Sequence, residues 1–175
     1  MRDGAGGSIL PPMRASLEQH LGSRQVGKVV YGSIIGMALV VAIESHPPKP
    51  GVMAVWLFGT ALAVGLAEVY SEVVGTETST RQPVTRRQLV HMAEDAAAVG
   101  FGVAFPAAFF LLSALGLFDV ERAFSIAKWT GLGLIGFYGF WAARFAGAAT
   151  HRALVKGVLV ALVGAGLIAL KALVH

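Results

Sequence analysis

The chain has 175 residues, of which 55% are hydrophobic and 14% charged, a balance that excludes an ordinary soluble domain and reads as an integral membrane protein. Cysteine is absent, which excludes disulfides, thiolate metal sites and cysteine nucleophiles. The 14 Lys and Arg residues outnumber the 10 acids, and their placement marks topology rather than nucleic-acid binding.

In chain order, residues 1–25 read as a cytoplasmic tail. Its first dozen positions are rich in Gly and Pro, and Ser16 with Gln19 makes a capping-box pattern for a short helix that Gly22 could end. Leu17 and Leu21 on one side would lay that helix on the membrane surface. Residues 26–175 then form an all-α bundle of five transmembrane helices, expected at 26–45, 51–74, 86–116, 120–146 and 151–174. Each is built on a stretch free of Asp, Glu, Lys and Arg: 29–43, 50–67, 96–118, 129–143 and 157–170. Snorkelling flanks extend the shorter ones toward the roughly 20 residues a span requires.

Several residues punctuate these helices. Pro47, Pro48 and Pro50 make a tight external turn, Thr85 with Gln88 repeats the capping-box pattern, Pro106 kinks the third helix, and Asp119 stands at the N-cap of the fourth. Gly32 and Gly36, and the row Gly131, Gly133, Gly136 and Gly139, read as close helix-packing surfaces.

Arg2, Arg14, Arg24, Lys28, Arg81, Arg86, Arg87, Arg144, Arg152 and Lys156 fall on one side of the membrane, against Lys49, Arg122, Lys128 and Lys171 on the other. The bias places the N-terminus in the cytoplasm and His175 outside. The first apolar run begins only after a polar tail, so no cleaved leader is expected and a bacterial-type inner membrane is the expected location. Lys128 and Lys171 should snorkel to the outer headgroups. Glu44 and His46, beside the proline turn, could form an exit site.

The acids inside this apolar frame are the candidates for function. Glu68 and Glu72 share one helical face, as do His91 and Asp95. A short connection makes the second and third helices neighbours and brings Glu68, Glu72, His91, Glu94 and Asp95 to one depth near the cytoplasmic side. Carboxylates with an imidazole suit Mn²⁺, Fe²⁺ or Zn²⁺ as a transported substrate, and crowded carboxylates suit proton exchange. The alternative is a set of salt bridges with Arg86, Arg87, Arg144 or Arg152 that anchors the helix ends. No nucleophile motif or His-Glu-x-x-His helix is present, so neither an enzyme nor a resident cofactor is expected.

The stretch Gly65-Leu-Ala-Glu68-Val-Tyr70-Ser71-Glu72 resembles the end of the second helix in the vacuolar iron transporter family. Arg152-Ala-Leu-Val-Lys156-Gly157, followed by Val163-Gly164-Ala-Gly166-Leu, is similar to that family's last helix, and Tyr31-Gly32-Ser33-Ile34-Ile35-Gly36 to its first. The resemblance implies a homodimer with a path between subunits, entered from the cytoplasm near Glu68, Glu72 and Glu94. Two departures count against iron transport. Ile35 stands where the family has an aspartate, and the segment from Gly75 to Thr85 replaces its glutamate-rich metal-binding helices. Two functions therefore stand side by side: a small divalent-metal transporter, and a non-transporting membrane scaffold or partner subunit whose acids are structural.

Overall fold

The computed structural model describes residues 25–174, and the expected tail and surface helix lie outside them. Among the described residues six helices follow one another: α1 (Gln25–Ile43), α2 (Pro50–Thr80), α3 (Arg86–Ala104), α4 (Ala107–Ala114), α5 (Val120–Phe145) and α6 (Thr150–Val174). There is no strand among the described residues.

The ends of these helices follow local chemistry. Pro50 is the first residue of α2, where its missing N–H costs nothing, so only part of the proline cluster lies in the turn. α2 closes at Arg81, whose φ of 55° is left-handed and whose N–H donates to the Glu77 carbonyl. Thr85 and Gln88 form the expected capping box: the Thr85 hydroxyl accepts from the Gln88 N–H while the Gln88 side chain accepts from the Thr85 N–H. Asp119 does occupy the N-cap of α5, but its side chain caps nothing and lies 3.8 Å from the Arg122 guanidinium.

Two expectations about length change. The helix expected over 86–116 is two helices, α3 and α4, bent by 46° at Pro106, which has no N–H to offer the preceding turn. α2 continues six residues past the expected end at 74. The Thr- and Ser-rich end of α2 is too polar for a span and yet remains helical.

α1, α2 and α6 are each long and apolar enough to cross a membrane, and α3 with α4 qualifies as a fourth span if the bent pair is taken together. The fifth, α5, has the length, but Glu121, Arg122, Lys128, Arg144 and four glycines dilute its apolar character. The exposure pattern is that of a membrane protein. Val55, Phe58, Leu62 and Leu66 on α2, and Leu154, Val158, Leu159 and Leu162 on α6, are all exposed, a surface that water would not tolerate at this extent.

α1 is the central helix, packed against α3, α5 and α6 and only slightly against α2. Its seam with α3 is built from apposed backbones. A Cβ on Gly32 would run into the Val99 carbonyl oxygen, one on Gly36 would stand 2.8 Å from that of Val103, and one on Gly102 2.5 Å from the Val29 carbonyl oxygen. α5 and α6 meet in the same way, with Gly157 against the Gly136 carbonyl and Phe140. Toward the proline-turn end, Val40, Met53, Leu57, Phe110 and Phe124 join α1, α2, α4 and α5 in an apolar core, where the Phe110 and Phe124 rings meet edge to face at 4.9 Å.

Candidate functional site

α1 begins, α2 ends and α3 begins at the same end of the bundle, so the first turn of α1 lies level with the later turns of α2. There the Lys28 ammonium donates to both Glu68 and Glu72, the Glu72 bond being 2.7 Å long. The three side chains are only 19–25% exposed. Glu68 and Glu72, one helical turn apart on α2, present their carboxylates side by side, and the single cation between them offsets much of their mutual repulsion. Because α1 and α2 otherwise touch so little, this bridge is the main polar tie between them.

The remaining candidates are placed differently from the expectation. His91 and Asp95, expected on one face of α3, line one recess, while the His91 Nδ1 lies 3.2 Å from a Glu94 carboxylate oxygen, with the His91 and Glu94 side chains more than half exposed. Asp95 is half-buried and lines a recess of about 400 Å³ with Glu72, Ser79, Gln88 and His91. Glu94 lines a different recess, of about 450 Å³, with Gln25, Val26, Phe101 and Tyr138. Among the described residues, no three His, Asp or Glu side chains come together in a group that could hold a metal ion. The five candidates thus share one end of the bundle, divided between an ionic bridge and two recesses. Tyr70, between the two glutamates in sequence, is 72% exposed and faces away from them.

None of the arginines expected to pair with the acids does so: Arg86, Arg87 and Arg152 make no ion pair among the described residues, and Arg144 donates instead to the Ala148 carbonyl at 2.7 Å. The partner is Lys28, which sequence reasoning used only as a topology marker. Its signal was present, since a lone cation in the first turn of α1 stands level with two acids on the antiparallel α2. At the opposite end, Lys128 turns inward to bond Glu44 at 2.6 Å rather than snorkelling outward, joining α5 to the turn after α1.

Compared with known protein families, with curated proteins and with solved structures, the chain finds no match.

Proposed function

We propose that this chain is a non-transporting membrane scaffold or partner subunit, with five spans counting α5, the arginine-rich end in the cytoplasm of a bacterial-type inner membrane, and Glu68 and Glu72 acting as structural anchors. The observation that carries this reading is the Lys28 bridge, which occupies both carboxylates with a cation the protein supplies itself. Charged groups at this depth are costly unless paired, and a lysine between two acids satisfies that condition without a metal. The outward face of α2 supports a partner role: Gly59, Ala63, Ala67 and Ser71 recur at four-residue spacing and are all exposed, the spacing through which membrane helices approach one another.

The test compares Lys28→Met with the uncharged set Lys28→Met/Glu68→Gln/Glu72→Gln. The single change should lower the melting temperature and the set should recover most of it, while Mn²⁺, Fe²⁺, Zn²⁺ and Mg²⁺ leave wild type unshifted. A melting-temperature rise for one transition metal that disappears in Glu68→Gln would sink the scaffold reading.

The second reading is divalent-metal transport by a homodimer, as the resemblance to the vacuolar iron transporter family implies. It draws on the recess that Glu72, His91 and Asp95 line together. In that reading Lys28 is a resident counter-cation that an arriving metal displaces from Glu72. Metal-dependent flux into liposomes, abolished by Asp95→Asn, is the outcome that would select it.

A further inference from the structure

The acids at the basic end are segregated, while cations stand on both sides of it. Glu68, Glu72, Glu94 and Asp95 all stand on α2 and α3, whereas α6 carries no acid in its sequence and the only acid within α5, Glu121, is at its far end. On the α5–α6 side stand Arg144, His151, Arg152 and Lys156. Lys156 and Arg152 are exposed and form no ion pair or hydrogen bond among the described residues. Lys156 also lines a recess of about 510 Å³ between α1, α5 and α6. The rest of the lining is apolar and largely small, including Gly27, Ala142, Ala146 and Leu159. A Cβ on Gly27 would meet nothing within 4 Å, so the recess is open at that helix.

We infer that this recess is a binding site for one phospholipid with an anionic headgroup. Its acyl chain would lie against Gly27, Ala142 and Leu159, and its phosphate would meet Lys156, with Arg152 one turn nearer the helix start. Three observations argue for a lipid. The volume falls within the range that holds a small ligand. The flanking surface of α6, with Leu154, Val155, Val158 and Leu162 exposed, is apolar and faces where lipid would be. Lys156 is six residues into α6, about 9 Å along the axis at ~1.5 Å per residue, so its long side chain can reach the headgroups while its stem stays in the apolar zone. An acidic peptide would complement the cations but leave the apolar recess without a use. Basic recesses between membrane helices recognise anionic lipids by this combination.

The experiment is native mass spectrometry of the full chain in detergent, titrated with phosphatidylglycerol or phosphatidylcholine. One phosphatidylglycerol per chain should be retained in preference to phosphatidylcholine. Lys156→Gln should weaken phosphatidylglycerol binding about fivefold, the loss expected for one juxtamembrane charge, and leave phosphatidylcholine unchanged. Arg86→Gln/Arg87→Gln, which removes cations on the α3 side, should leave the preference intact. Ala142→Phe should fill the recess and remove the retained lipid. If that variant does not fold, the exposed Lys156→Gln change still decides the matter. Equal retention of the two lipids overturns the proposal. So does an equal loss in the Arg86/Arg87 variant, displacement of the lipid by inorganic phosphate or by an acidic peptide, or a dimer in place of a bound lipid that Ala142→Phe dissociates.

Discussion

The two sides of α1 are held in opposite ways. Against α3, Gly32, Gly36 and Gly102 bring backbone onto backbone, with Ile35 packed beside them on Val99 and Val103. Against α2 the helices barely touch, and a lysine reaches across to two glutamates. The first kind of joint depends on van der Waals contact at fixed shape, so it is intolerant of added volume. The second depends on charge balance, so it tolerates changes of shape and fails when one sign is removed alone.

The predictions that would break this comparison begin with Gly32→Ala. Its Cβ would force α1 and α3 apart at the Val99 carbonyl, and the loss should exceed about 3 kcal/mol, beyond ordinary overpacking because the obstacle is backbone. Thermal unfolding with size-exclusion profiles would register it, and a folded, monodisperse Gly32→Ala protein would refute the backbone seam. Lys28→Met should cost about 2 kcal/mol, between the value of an exposed pair and that of a fully buried one, and neutralising both glutamates should restore most of it. If the triple variant is no more stable than the single, charge balance is not what joins α1 to α2. Glu44→Gln at the other end should cost only about 1 kcal/mol, since Glu44 and Lys128 are 30% and 23% exposed. Ser33→Ala should be the mildest change. Its hydroxyl is buried without a hydrogen-bond partner among the described residues, so removing it should leave the melting temperature level or raise it by the equivalent of less than about 1 kcal/mol.

Legibility in the sequence divides along the same line. Short-range chemistry was readable: the Thr85–Gln88 box starts α3, Pro106 bends the span, and the Gly32/Gly36 pair does sit in a tight seam. The end of α2 was misplaced because hydropathy reports where lipid stops, whereas helix continuation depends on backbone bonding that residues 75–80 sustain outside an apolar environment. The site was half readable. Acids at one depth are visible in the sequence, but the arginines near the loops are the more obvious partners, and a cation at the start of a span, such as Lys28, ordinarily reports orientation. The choice between Glu94 and Asp95 for His91 turns on rotamers, which spacing alone does not encode.

The length of α2 has one more consequence. Thirty-one residues at ~1.5 Å each make a rod of about 46 Å, well beyond the roughly 30 Å of hydrocarbon. The excess is carried by the polar last turns, where the Gln82 N–H donates to the Thr80 hydroxyl at 3.4 Å and the Val84 N–H to the Glu77 carboxylate at 3.2 Å, so the Arg81–Val84 turn is tied to the end of α2. An epitope tag or a protease site inserted at this turn would therefore leave the glycine seams of α1 with α3 and of α5 with α6 untouched.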